Sequence, residues 1–283
     1  GIKTGYPDIY RYIRILPGEV VVLAARPSHG KTTFAINLLY NFLNLNKVFR
    51  REDPFIFFSF ELNEEFLTAK LLSRMTGRHS FYEVLEYLRS GLRTDSYLEE
   101  ALGRLRSFGP YLYLVCKPRM TGEDVLAFCQ SVWYKHGRIG AVLLDYIQIV
   151  GTPTPMATRE QEIQYILRQL RIAGQEFRTP IFTLAQAMRS GPDQQTERPG
   201  VQHLMDSRVI EQEANTILAL YNPEIQKAQS SRSELLVEED IVPLEVIVRK
   251  NKYGAINRVV QLEYRMRTNE IKNRGGFDTV YEI

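Results

Sequence analysis

One stretch constrains the chain more than any other. A β-branched apolar run, Val20-Val21-Val22-Leu23-Ala24-Ala25, leads into Arg26-Pro27-Ser28-His29-Gly30-Lys31-Thr32-Thr33 and then into a helical pattern carried by Phe34, Ala35, Ile36, Leu38 and Leu39. Strand, glycine turn and helix in that order form a P-loop, in which backbone N–H groups and the helix N-terminus wrap a phosphate. The segment Ser28, His29, Gly30, Lys31, Thr32, Thr33 is therefore expected to hold the phosphates of a nucleoside triphosphate. Lys31 would reach the β- and γ-oxygens, and the Thr32 hydroxyl would hold Mg²⁺. Ala25 stands where the general pattern has its first glycine.

Two further strand ends belong to the same chemistry. Ala141-Val142-Leu143-Leu144-Asp145 is a buried-strand pattern ending on a carboxylate, placed to meet Mg²⁺ through water beside Thr32. Hydrolysis also needs a group that orients and polarises the attacking water. Glu61 fits, because it follows the apolar run Pro54–Phe60, the strand after the P-loop helix. In a parallel sheet that position shares a rim with Lys31 and Asp145. Gln186, closing the run Pro180–Ala185, points at the same rim and is a candidate sensor of the γ-phosphate.

The rest of the chain sets this site in an α/β frame. Helical patterns are expected at 31–46, from Asn63 onward, twice within 80–108 with a break near Ser90-Gly91, at 121–136 and at 159–177. Strands are expected at 111–115, 139–144 and 180–185, and their alternation with helices means a parallel sheet with right-handed crossovers. Leu244–Val248 and Arg258–Tyr264 alternate apolar and polar residues, as antiparallel strands joined through Tyr253-Gly254 and closing the sheet's far edge. Residues 1–19 are a linker or edge segment, 189–200 a long polar loop, and 227–240 a poorly ordered polar stretch.

Composition narrows the class. The chain has 283 residues with 36 basic against 33 acidic side chains, so any nucleic-acid argument must rest on local patches rather than on net charge. No apolar run is long enough to span a membrane, and the two cysteines, Cys116 and Cys129, suggest neither a disulfide framework nor a zinc site. A cytoplasmic protein without membrane contact is expected. The chain begins with Gly1 rather than Met, which suggests an excised or processed domain.

The motifs together resemble the C-terminal ATPase domain of DnaB-type replicative DNA helicases. The matching segments are Gly5-Tyr6, Ala24 to Ala35, Phe58-Ser59-Phe60-Glu61, Asp145-Tyr146-Ile147-Gln148, Leu184-Ala185-Gln186, Arg198-Pro199 and Ile210-Glu211-Gln212-Glu213-Ala214. The family also carries Ala at the position of Ala25. The resemblance implies one RecA-like P-loop NTPase domain over residues 1–283, with a mostly parallel twisted sheet flanked by helices and an antiparallel edge hairpin. It implies Glu61 as the water-activating residue, Asp145 as the magnesium partner and Gln186 as the link between γ-phosphate and DNA loops. ATP and Mg²⁺, single-stranded DNA and a homo-hexameric ring are the implied cofactors and partners. Primase or loader contacts in the family run through regions outside these 283 residues, since the family's N-terminal domain has no counterpart here.

Two positions depart from the family pattern. A Lys and an Arg two apart reach a neighbouring subunit's γ-phosphate in the family; this chain has Lys250 and Lys252, and lysine lacks the bidentate fork of arginine. The family's DNA-contacting Arg-Glu-Ser-Gly reads Met205-Asp206-Ser207-Arg208. Arg208, with Asp206 beside it and Arg189 and Arg198 nearby in sequence, is the candidate grip on the strand. These departures motivate an alternative function: an ATP-gated assembly or loader-type protein that does not unwind DNA. Recombinase-like strand exchange ranks lowest, because it needs a filament rather than a ring.

Overall fold

The computed structural model describes residues 1–91, 94–187, 198, 207–231 and 241–274. A nine-stranded sheet runs through it. The strands, in chain order, are β1 (Val20–Ala25), β2 (Phe55–Ser59), β3 (Leu112–Cys116), β4 (Ala141–Asp145), β5 (Ile181–Gln186), β6 (Thr216–Tyr221), β7 (Ile241–Asn251), β8 (Val259–Arg265) and β9 (Glu270–Asn273). Their spatial order is β3-β2-β4-β5-β1-β6-β7-β8-β9, with the first six parallel and β7 to β9 antiparallel.

Every residue of β1 is buried, because both faces of the sheet are covered. Val21, Leu23 and Ala25 point into a core built with the helices α1 (Pro7–Tyr12), α2 (Lys31–Val48), α3 (Glu64–Thr76), α4 (Phe81–Ser90) and α5 (Ser96–Phe108). Val20, Val22 and Ala24 point the other way, toward α6 (Gly122–His136), α7 (Arg159–Glu176) and α8 (Ser207–Glu213). The apolar runs read as parallel strands are continuous rather than alternating for this reason. The expected helix breaks also stand. Asn63 caps α3 by accepting from the Phe66 amide, Gly91 ends α4 in the left-handed region, and Thr121 forms a capping box with Asp124.

Three expectations need correction, and one strand escaped the sequence reading. The far edge is β9, not the strand ending at Tyr264; Glu270-Ile271-Lys272-Asn273 is too short and polar to announce itself, and the Glu270 carboxylate is buried only because Arg74, Lys272 and Thr268 surround it. Residues 227–231 lie in a helix, α9 (Pro223–Ser231), while 232–240 lie outside the described residues. The run Thr216–Tyr221, unassigned from sequence, is a fully buried strand beside β1. Residues 1–19 include α1, whose Ile9, with Tyr6, Ile13 and Ile15, enters the main core.

Candidate functional site

The C-terminal ends of the parallel strands form one rim, and the register of the sheet decides what meets there. Ala25 pairs with Gln186, and Ser59 pairs with Asp145. The P-loop, Asp145, Gln186 and the turn carrying Glu61 therefore share an edge, as the order of strands leads one to expect. The Ser59 hydroxyl shapes that turn: it accepts from the Leu62 amide and donates to the Leu62 carbonyl. Phe60 donates its amide to the Asp145 carbonyl, tying the Glu61 turn to the end of β4.

Gly30 is the N-cap of α2 at φ 85°, ψ 20°, a left-handed conformation that glycine tolerates. A Cβ there would lie 3.3 Å from the ring of Tyr264, so the loop rests directly on that ring. Ser28, exposed, also has positive φ, at 69°. Lys31 follows at the helix N-terminus, its ammonium 4.4 Å from the centroid of Tyr146. Burial lowers the Lys31 pKa, and the carboxylates of Asp145 and Glu61 oppose that shift.

Thr32 donates its hydroxyl to Asp145 Oδ2 at 2.7 Å. Asp145 is fully buried, and its Oδ1 has no hydrogen-bond partner. Burial raises its pKa to about 6, against the hydrogen bond from Thr32 and the charge of Lys31. A buried carboxylate with one orphaned oxygen, beside a hydroxyl and a lysine, suits a hard divalent cation that takes its other ligands from phosphate and water. The residues present thus fit Mg²⁺ bound with a nucleotide. Among the described residues no group of three or more His, Cys, Asp or Glu converges as a metal cage.

The side chains of the loop divide by direction. His29 is fully buried and turns into the protein, where its Nδ1 accepts from the Asn222 amide and its ring faces Tyr221. Burial, aided by the nearby Arg26, pushes its pKa down to about 4, so the ring is a neutral strut beneath the loop. Thr33 is buried too, its hydroxyl 3.4 Å from the Tyr264 hydroxyl. At these two positions the side chain is turned into the protein, which leaves only the backbone to face the open side of the loop.

Glu61 is exposed to solvent. Gln186 is half-buried, and its amide donates to Gln148 Oε1 at 3.3 Å, linking the ends of β5 and β4. Sequence reading missed Lys70 on α3. Its amine is lowered in pKa by burial and drawn back by Asp145 and Glu61, which places a second cation within electrostatic reach of both carboxylates. A lysine between the buried Ala69 and Leu71 was the only signal available.

Lys250 and Lys252 lie elsewhere. β7 runs antiparallel to β6, so Lys250 pairs with Ile217 near the start of β6, and the Lys252 amide donates to the Asn215 carbonyl. They sit on the rim opposite the P-loop, a full strand length or about 17 Å away. Of the residues proposed to grip DNA, Arg189 and Asp206 lie outside the described residues. Arg208 is exposed in the first turn of α8. Arg198 donates from Nε and Nη2 to the two carboxylate oxygens of Glu245, at 2.6 and 2.8 Å, with Gln261 donating to the same carboxylate.

Among the described residues no helix is long and apolar enough to cross a membrane. The profile of the DnaB-like helicase C terminal domain family matches residues 1–273. The chain is 28% identical over 261 residues to a probable plasmid replicative DNA helicase of Chlamydia psittaci, covering 90% of this chain and 52% of that protein. It is 27% identical over 278 residues to the replicative DNA helicase DnaB of Geobacillus stearothermophilus, covering 96% of this chain and 56% of the relative. The chain thus spans about half the length of these relatives. Among solved structures, an isolated ATPase domain superposes with a TM-score of 0.79 at 21% identity, covering 96% of this chain and 91% of that one. A DnaB-like replicative helicase studied with primase gives 0.77 at 21% identity, covering 96% and 62%. A KaiC-like protein from Pyrococcus horikoshii, at 0.57, shares the fold more distantly. With the P-loop, the Asp145 strand and the sheet order all in place, the chain belongs to the DnaB-like helicase C-terminal domain family.

Proposed function

We propose that this chain is the ATP-driven motor of a replicative DNA helicase, hydrolysing ATP between the subunits of a six-membered ring and drawing single-stranded DNA through it. One observation carries the reading. Lys31, Thr32, Glu61, Asp145 and Gln186 gather on one rim, while Lys250 and Lys252 lie on the opposite rim, away from this chain's own P-loop, as residues acting on a neighbour's nucleotide would.

In this reading the amides of Ser28 to Thr33 and the Lys31 ammonium hold the β- and γ-phosphates. Thr32 and Asp145 would hold Mg²⁺, which would supply charge neutralisation on the phosphate oxygens. Glu61 orients a water for in-line attack on the γ-phosphorus and accepts its proton as the bond to the β–γ bridging oxygen breaks. Lys70 balances the negative charge gathered by Asp145 and Glu61. Gln186, hydrogen-bonded to Gln148 across two strand ends, transmits the state of the γ-phosphate to the segment that follows it, from which Arg189, Arg198, Asp206 and Arg208 address DNA. Contacts with a loader or primase run through regions outside these residues, and the setting is the cytoplasm.

A second reading, ATP-gated assembly without unwinding, draws on Lys252 in place of an arginine and on the engagement of Arg198 by Glu245. ATP hydrolysis with and without single-stranded DNA tests the first reading, with Glu61→Gln as the blank. DNA-stimulated hydrolysis, lost in the variant, together with strand displacement on a forked substrate, is the expected result. Hydrolysis indifferent to DNA, with no strand displacement, would establish the second reading instead.

A further inference from the structure

A guanidinium fork missing at position 252 is present a few side chains away. The cleft of about 290 Å³ that holds Lys250 and Lys252 is also lined by Arg171, Gln212 and Glu213. Arg171 comes from the last turns of α7, and Glu213 ends α8; both are carried to this rim because α7 descends from the P-loop edge before β5 and α8 precedes β6. Arg171 donates to the Glu213 carbonyl and lies 2.9 Å from its Oε2, while Arg168 lies 3.4 Å from Oε1. The Lys250 ammonium donates to the Glu211 carbonyl.

The charges do not cancel. The cleft itself is lined by three cations, Arg171, Lys250 and Lys252, against one carboxylate, Glu213, which is nearly buried between Arg168 and Arg171; Glu211 adds its charge near Lys250, and Glu19 lines an adjoining pocket with Lys252. Burial lowers the Lys250 pKa, with Arg171 and Lys252 adding to the shift. Cations brought together in excess on a concave surface are an anion site awaiting its anion. The Arg171 side chain is 36% exposed and lines the cleft, and both of its contacts to Glu213 are made by one nitrogen, Nη2.

We propose that Arg171 is a further catalytic residue, which with Lys250 and Lys252 grips the γ-phosphate of the nucleotide held by an adjacent copy of this chain. This rests on the reading of hydrolysis between subunits and adds to it the residue that supplies the bidentate contact. The planar fork matches two phosphate oxygens at once, which neither lysine does. Glu213 orients it and leaves the outward N–H groups free for the neighbour. Charge spreads over the equatorial oxygens as the γ-phosphoryl group is transferred, and the guanidinium stabilises that charge.

The test is steady-state ATP hydrolysis by the full chain, assembled as it exists and sized by light scattering, for Arg171→Ala, Arg171→Lys and Lys252→Ala. An arginine acting alone in this role is worth about 10³-fold or more in kcat. Shared among three cations, its loss is expected to lower kcat about tenfold or more with little change in KM. Arg171→Lys keeps the charge beside Glu213 and loses the fork, so it also lowers kcat, and it covers the case in which alanine disturbs assembly. Two results would not follow from a merely structural role. Adding Lys252→Arg to Arg171→Ala restores hydrolysis, and mixing Arg171→Ala subunits with Lys31→Ala subunits gives more activity than either alone. Wild-type kcat in assembled Arg171→Lys overturns the assignment, as does failure of both rescues. If Lys252→Ala lowers kcat and the Arg171 variants do not, only Arg171 is wrong. If none changes kcat in the assembled particle, hydrolysis between subunits is wrong with it.

Discussion

Asp145→Asn is expected to make the ligand-free protein more stable while abolishing magnesium-dependent hydrolysis. The carboxylate is fully buried, Thr32 supplies one hydrogen bond, and burial raises its pKa from 3.8 to about 6. A folded-state pKa above the unfolded value means stability that is full at low pH and is lost as pH rises through about 6. At pH 7 the ionised side chain costs about 3 kcal/mol relative to a protonated one, and at pH 4.5 about 1 kcal/mol. Asparagine is the neutral isostere and still accepts from Thr32. Urea unfolding of wild type and variant, free of nucleotide and metal, should therefore show a higher midpoint for Asp145→Asn at pH 7 with an unchanged slope, and a much smaller gap at pH 4.5. Magnesium and nucleotide should narrow the gap at pH 7 by stabilising only the wild type. A variant less stable than wild type at pH 7, or a gap that ignores pH, would refute the reasoning. The cost follows from the burial of Oδ1 without a hydrogen-bond partner.

Two other outcomes follow from the geometry of the loop. Gly30→Ala forces a Cβ into the left-handed region and to within 3.3 Å of the Tyr264 ring; a loss of about 1–2 kcal/mol in unfolding free energy and weaker nucleotide binding are expected, read by urea titration and by fluorescent-nucleotide titration. His29, with its pKa pushed from 6.5 down to about 4, stays neutral in the folded state, so its contribution is present above pH 6.5 and falls away toward pH 4, by about 2 to 3 kcal/mol at pH 4.5. His29→Asn, which removes the titrating ring, should flatten that acid limb when stability is measured from pH 7 to 4.5; an unchanged limb would place the proton elsewhere.

Much of this protein is legible in one dimension because its information is local. Val20 to Thr33 specifies strand, turn and helix within fourteen neighbouring residues, and a parallel sheet then carries the ends of β2, β4 and β5 to the same rim as a matter of topology. Glu61, Asp145 and Gln186 could be placed beside Lys31 for that reason, and family resemblance supplied the rest of the frame. Thr216–Tyr221 was harder, since a short apolar run without alternation has no period that separates strand from buried helix.

What only the tertiary structure decided involves contacts between residues far apart in the chain. Tyr264 lies under Gly30, Asn222 holds the His29 ring, and Lys70 reaches Asn269 while Asp145 and Glu61 act on its charge. Glu245 engages Arg198, and Arg171 meets Lys250 and Lys252 across a cleft. No sequence spacing encodes such pairs, because each depends on how helices cross the sheet and on which partner remains once water is excluded. The P-loop, the strand-end acids and the order of elements were determined by the sequence itself through local pattern and chain direction. Which histidine is a strut and which arginines are already paired were decided by packing, since burial and proximity belong to the folded chain alone.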